Sequence, residues 1–153
     1  MLLSIGRVLF ALLFIFSGAS KFFDIGSTAQ IIEAKIGVPE MLAPYAVELE
    51  NFAGMTAFRV AAYLVAGVEV ICGLMIAFNL APRVFAVVLV IFVIIATVLV
   101  HDFWNQSGGS ERLENIIHVL KNTSILGALL MIIGQKPLPP ESVAQSYSNR
   151  TML

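Results

Sequence analysis

Charged residues are scarce in this sequence, and cysteine is almost absent. Asp, Glu, Lys and Arg make up only 12% of its 153 residues, whereas they make up about a quarter of a typical soluble domain. Too few polar groups remain to cover a water-facing surface, so the apolar excess requires lipid as its solvent. The net charge of −1, without a basic stripe, gives no indication of nucleic acid as a partner. A single cysteine, Cys72, excludes an internal disulfide, a CxxC pair and a cysteine-rich metal site, and we predict no metal.

Hydrophobic residues account for 59% of the chain and are concentrated in four long segments. Crossing a bilayer takes about 20 mostly apolar residues, and the backbone there must pair within a helix. The sequence therefore predicts an all-α integral membrane protein, a four-helix bundle over residues 1–134. The polar, proline-containing residues 135–153 are predicted to be a disordered tail. The predicted spans are residues 3–23, 58–78, 82–100 and 115–134.

The first apolar segment has a second interpretation, as a cleaved secretion signal. Arg7, the apolar run after it and Ser17-Gly18-Ala19-Ser20 fit that pattern in part. The apolar stretch is long for a signal of this kind, and we therefore expect a membrane span.

The connection between the first two spans is too long for a simple turn. Ser27-Thr28-Ala29-Gln30 resembles a capping box that opens a short helix, which Gly37 and Pro39 would end. Further along, apolar residues recur at helical spacing and predict an amphipathic helix on the membrane surface. These residues are Met41, Leu42, Tyr45 and Leu49.

The distribution of basic residues bears on the orientation of the chain. With four spans, the side of the two termini holds four basic residues and the opposite side five, so the sides nearly tie on this count. Three of the five, Lys21, Arg59 and Lys121, lie at predicted helix ends where a partner can engage them. We therefore expect both termini in the cytoplasm.

Glu69 falls near the middle of the second span, where an ionisable residue is costly and indicates a function by default. On a helix, Ala62, Ala66, Glu69 and Gly73 share a stripe roughly 60° wide. Small residues around a carboxylate predict close packing against another helix, with Glu69 pointing into the bundle. The carboxylate is then either a structural pin between helices or a group that handles protons or a ligand.

Ionisable residues also mark the ends of the first and third spans. Lys21, beside Gly18, either reaches the headgroups or pairs with an acid. His101 and Asp102 follow the third span, and a histidine next to a carboxylate can titrate near neutral pH, bind a metal or ligate haem. Trp104 is predicted to anchor the chain at the membrane interface.

The fourth span opens with polar residues on one arc of the helix, namely Glu114, His118 and Lys121, with Asn122 adjacent. Lys121 and Asn122 lie one to two turns inside and are predicted to face inward. In an up-down bundle these groups collect at one side, with Glu69 below them. We predict a polar cluster between the helices, open to the outer leaflet. Its members are Lys21, Glu69, His101, Asp102, Trp104, His118, Lys121 and Asn122.

Several short stretches, in their order along the chain, are similar to those of a known family. They are Gly6-Arg7, Ser17-Gly18-Ala19-Ser20-Lys21, Gly37-Val38-Pro39, Glu69 with Gly73, His101-Asp102-Phe103-Trp104, and Asn115 followed by Leu120 to Gly127. Together they resemble the DoxX family of small bacterial inner-membrane proteins with a four-helix bundle, over most of residues 1–134. The resemblance implies the bacterial inner membrane and a redox association, because some DoxX-like proteins are linked to quinone-dependent thiosulfate oxidation or to thiol stress. It implies no defined reaction.

Two functional hypotheses follow. In the first, the chain is a redox-linked subunit that binds quinone or another small hydrophobic ligand between its helices, with Lys21, Glu69 and Lys121 handling protons or anionic groups. In the second, it is an accessory or assembly subunit of a larger membrane complex or homo-oligomer, without chemistry of its own. The sequence assigns no catalytic residue, and a transporter is less expected because four spans show no inverted repeat.

Overall fold

The computed structural model describes residues 2–100 and 108–135. Regular structure in these residues is entirely helical, which confirms the all-α prediction for this part of the chain. The α-helices are α1 (Leu2–Phe23), α2 (Ile25–Ile36), α3 (Ala43–Ala53), α4 (Ala57–Ala77), α5 (Pro82–Val100) and α6 (Ser110–Gly134), with a 3-10 turn at Glu40–Leu42.

Four of these helices are long and apolar enough to cross a bilayer: α1, α4, α5 and the Arg112–Gly134 part of α6. Their ends lie within a few residues of the predicted spans. The predicted tail beyond Gln135 lies outside the described residues, as do His101, Asp102 and Trp104.

The connection between the first two spans contains two helices. The predicted start of the first at Ser27 is wrong, because Asp24 caps α2 by accepting a hydrogen bond from the Ser27 N–H at 3.0 Å. The predicted end is confirmed, since α2 stops before Gly37, which has a φ of 62°. α2 then packs on α4, with Ile25 and Ala29 buried against Ala62.

None of the residues of α3 is buried. This helix contacts the 3-10 turn and α4. The Glu50 Oε1 atom accepts a hydrogen bond from the Ala57 N–H at 2.9 Å, which provides an acceptor for one of the N–H groups that lack a partner at the start of α4. This bond links the last turn of α3 to the first turn of α4.

The long helices follow one another in space in the order α1, α4, α5, α6. α4 packs against α1 on one side and α5 on the other, and α6 packs against α5. A single apolar core joins all four, and its buried members are Ala11, Phe14, Cys72, Ile76, Ala86, Leu89, Val93, Leu129 and Ile132.

Two glycines set the distance between α1 and α4. A Cβ atom added to Gly18 would lie 2.7 Å from the Ala66 carbonyl oxygen, and one added to Gly73 would lie 2.8 Å from Ile15. Only glycine lets the two backbones approach this closely. The predicted stripe on α4 is accordingly buried, at Ala62, Ala66, Glu69 and Gly73.

Candidate functional site

The most buried charge among the described residues belongs to Glu69, and it is paired. The Lys21 Nζ atom lies 2.7 Å from Glu69 Oε2. The same ammonium donates to Ser17 Oγ at 2.7 Å and to the Ser17 carbonyl oxygen at 3.4 Å. An ammonium has three N–H donors, and all three here have an acceptor.

Helix geometry explains how Lys21, in the last turn of α1, reaches a carboxylate deep in α4. Side chains on a helix tilt toward its N-terminus. Because α1 and α4 are antiparallel, Lys21 leans back along α1 past Ser17 while Glu69 leans toward the end of α1. Ser17, one turn before Lys21, supports the ammonium on this path.

The depth of the pair follows from the position of Glu69 along α4. Glu69 comes 12 residues after the first residue of α4 and 8 before the last, which places it about 18 Å and 12 Å from the two ends. The Glu69 side chain is 7% exposed and the Lys21 side chain 26% exposed. The carboxylate is therefore enclosed by the helices, whereas the lysine remains open on one side.

A second polar contact joins α5 to α6. Asn122 Nδ2 donates to Thr97 Oγ1 at 2.8 Å, and that hydroxyl donates to the Val93 carbonyl oxygen at 2.6 Å. Asn122 is half-buried, in line with its predicted inward orientation. Thr97 was not predicted as a functional residue, and its only signal is its place as the single hydroxyl in an otherwise apolar span.

The structure differs from the prediction at Lys121, whose side chain is exposed. Asn122 faces α5, and the preceding residue is turned by about 100° and points away. His118 is exposed on α6 as well. No Cα atom described in α6 lies within 8 Å of one in α1 or α4. The structure thus brings Lys21 and Glu69 together, and joins Asn122 to Thr97 in a different helix pair.

Metal ligands do not gather in the part of the chain that the structure describes. No group of three or more His, Cys, Asp or Glu residues there could hold a metal ion. The pair His101 and Asp102, with Trp104, lies outside the described residues and remains a prediction.

Sequence reasoning missed the polar contacts at the opposite end of the helices. Arg7 Nη1 donates to Asn79 Oδ1 at 2.7 Å, which ties the start of α1 to the turn between α4 and α5. Arg83 Nη2 donates to the carbonyl oxygen of Gln135, which ties the start of α5 to the end of α6. The sequence distances of 72 and 52 residues explain why no local pattern predicted them.

Comparison with known protein families gives a match for this chain. The model of a family described as HR-like lesion-inducing matches residues 1–135, which include all of the described helices. The chain belongs to the HR-like lesion-inducing family. No curated protein and no solved structure matches the chain.

Membership of the HR-like lesion-inducing family overturns the resemblance to DoxX proteins, which is wrong. The stretches that carried it are short, and their composition has a physical explanation. Close packing of α1 on α4 requires small residues, which here are Gly18, Ala66 and Gly73. A buried acid requires a counter-charge, which here is Lys21. Such demands arise in any small helical membrane protein, so these residues are weak evidence for one family. The description of the HR-like lesion-inducing family names lesions and no chemical reaction.

Proposed function

We propose that the chain is an integral membrane protein whose helices α1, α4, α5 and α6 cross the bilayer as a four-helix bundle. Large apolar side chains cover their outward faces, including Leu64, at 64% exposed, and Ile91, at 55%. A soluble monomer rarely exposes continuous apolar surface on this scale. Lipid is the solvent that covers such faces without further protein.

The basic residues at the two ends of the bundle bear on its orientation. The end formed by the start of α1, the α4–α5 turn and the end of α6 holds Arg7 and Arg83, and the described residues there include no acid. The opposite end holds Lys21, Lys35, Arg59, Arg112 and Lys121, of which Lys21 is paired with Glu69. Because the count of basic residues does not separate the two ends, the cytoplasmic location of both termini stays a prediction. The bacterial inner membrane was expected from the DoxX resemblance and loses its basis with it, so our proposal is limited to a bilayer.

Within that bilayer, we infer the role of an accessory or assembly subunit without chemistry of its own. The observation that carries this inference is the pairing of Lys21 with Glu69 and Ser17. The ammonium has no donor left for a ligand, and the pair serves to fix α1 against α4. The redox association came from the DoxX resemblance and has no independent support.

A second candidate function is the binding of quinone or another small hydrophobic ligand between the helices. One observation favours it: the Lys21 side chain is 26% exposed, although its partner is enclosed. A ligand carbonyl or anionic group could reach the ammonium from that side by replacing Ser17 as an acceptor.

Native mass spectrometry of the protein extracted in mild detergent separates the two candidates. The assembly subunit is expected in a particle heavier than a single 16.6 kDa chain, with no small molecule attached. A solitary chain that carries a quinone-sized adduct would overturn this proposal and support the second. In that case Lys21→Met should lose the adduct, whereas Lys121→Met, on the exposed face of α6, should keep it.

A further inference from the structure

The helix α3 presents three distinct faces. Successive residues of a helix are turned by about 100° around its axis. Half-buried Ala46, Glu50 and Ala53 lie on the face toward α4. Exposed apolar residues form a second face about 100° away, and exposed polar residues form a third about 100° further round. The apolar face consists of Tyr45, Leu49 and Phe52, and the polar face of Glu48 and Asn51, with Val47, 57% exposed, beside the polar face.

The apolar face is too exposed for an element surrounded by water. Tyr45 is 69% exposed, Leu49 40% and Phe52 91%, and Met41 in the preceding 3-10 turn is 79% exposed. Tyrosine is enriched at membrane–water interfaces, and phenylalanine and leucine are typical of the apolar face of interfacial helices. Something must cover this face in the functional protein.

The position of α3 identifies what covers it. Only Gly54, Met55 and Thr56 separate α3 from α4, and the Glu50–Ala57 hydrogen bond holds the two elements at one level. α3 therefore lies at the bilayer surface where α4 enters. Phe23, 92% exposed at the end of α1, lies at the same end of the long helices. Phe23 thus extends the exposed apolar surface of α1 to the end of the long helices at which α3 lies.

We propose that α3 is an interfacial helix whose face of Tyr45, Leu49 and Phe52 is inserted into one leaflet of zwitterionic lipid. The three faces fit this geometry, with α4 beside the helix, acyl chains below it and water on the remaining side. The proposal rests on the bilayer-spanning role proposed above.

The charges near α3 define the lipid class. Residues 24–59 contain five acids and two bases, Lys35 and Arg59. An anionic surface would repel this segment, unlike the basic interfacial helices that anionic lipids attract. Apolar area alone then supplies the binding, and added anionic lipid should not deepen the insertion.

Tryptophan fluorescence in vesicles tests the proposal. The only native tryptophan is replaced by Trp104→Phe, and single tryptophans are introduced by Phe52→Trp on the apolar face and Asn51→Trp on the polar face. Both positions are exposed, so neither substitution disturbs packing. Each protein is reconstituted in phosphatidylcholine with brominated acyl chains, which quench indoles by contact. An interfacial helix buries its apolar face about 5–10 Å into the headgroup and acyl boundary, so we expect Phe52→Trp to lose roughly half its emission or more. Asn51→Trp should be little affected.

A third variant, Ile91→Trp on the outward face of α5, reports on the spans themselves. Quenching at Ile91→Trp without quenching at Phe52→Trp would overturn the interfacial helix and leave the bilayer-spanning role standing. Absence of quenching at Ile91→Trp would overturn the spanning role. Blue-shifted, unquenched emission from Phe52→Trp would assign this face to a protein partner or a second copy. Deeper quenching with added phosphatidylglycerol would contradict the lipid class.

Discussion

Lys21 and Glu69 form an ion pair at 2.7 Å between two antiparallel helices whose side chains lean toward each other. Gly18 lies directly beside Glu69, since a Cβ atom added to it would come within 2.9 Å of the Glu69 Cβ atom. The absence of a side chain at Gly18 thus brings α1 close enough for the lysine to reach back. Close packing and charge pairing at this crossing depend on each other.

Removing one partner of the pair should destabilise the protein more than removing both. Glu69→Gln or Lys21→Met alone leaves one group buried without its counter-charge, and breaking a buried pair costs about 3–5 kcal/mol. The double variant should cost less than the sum of the single variants. Unfolding midpoints in mixed detergent micelles measure the effect. Lys121→Met, at an exposed lysine, is the control, and equal losses in the control and in Lys21→Met would contradict the pairing.

A methyl group added at Gly18, inside the α1–α4 contact, and one added at Gly67, outside it, should have opposite effects on stability. In Gly18→Ala the new Cβ meets the Ala66 carbonyl oxygen and Val70 at 2.7 Å, so the helices must separate and the protein should unfold at lower denaturant. Gly67→Ala adds the same group where nothing lies within 4 Å, and alanine there should gain up to about 1 kcal/mol from helix propensity. The difference between the two midpoints is the measurement. Equal stability of both variants would mean that α1 and α4 do not cross at Gly18.

The bond between Asn122 and Thr97 should contribute modestly to the packing of α6 on α5. Hydrogen bonds between membrane helices average about 0.6 kcal/mol and reach about 1.7. Asn122→Ala and Thr97→Val should each lose an amount in this range, and the double variant should lose little more than either. Thr123→Val provides a matched control, because the Thr123 hydroxyl donates to the Val119 carbonyl oxygen within its own helix. Additive losses in the Asn122 and Thr97 cycle would show that the bond contributes nothing.

Glu50 and Glu48 lie two residues apart on α3 and should behave differently. Glu50→Ala removes the acceptor for the Ala57 N–H, and loss of a helix cap costs about 1 kcal/mol. It should also free the first turn of α4 to exchange its amide hydrogens faster. Glu48→Ala, at an exposed position, should change neither stability nor exchange. Hydrogen exchange at the start of α4, followed by mass spectrometry, tells the two outcomes apart.

The long helices could be predicted from the sequence because each coincides with a continuous, mostly apolar run of about 20 residues, the length that crossing a bilayer takes. The contact between Lys21 and Glu69 was predicted only in part. The stripe of Ala62, Ala66 and Gly73 indicates a close helix neighbour for Glu69. For Lys21, pairing with an acid and reaching the headgroups are equal alternatives in the sequence. The structure decides for pairing, because α1 and α4 are antiparallel and the two side chains lean toward each other.

Other features depended on contacts that no periodicity contains. Lys121 and Asn122 are adjacent in sequence, and which of them faces inward depends on where Thr97 lies on α5. Asp24, not Ser27, caps α2. Asp24 directly follows the end of α1 at Phe23, so α2 begins three residues earlier than the Ser27 pattern predicts. The family could not be identified from these motifs, because close helix packing requires small residues and paired charges in many unrelated helical proteins.

Under the proposed bilayer-spanning role, the order in which the paired residues are synthesised bears on how α4 is inserted. An acid at the centre of a helix adds about 2.5–3.5 kcal/mol to the free energy of insertion by the translocon. Lys21 precedes Glu69 by 48 residues and lies at the end of α1, where it can remain at the aqueous interface while α4 is still being made. When α4 emerges, its counter-ion is already in place. Integration of α4 should therefore require α1, so that the first helix of the chain acts as an internal chaperone for the second span.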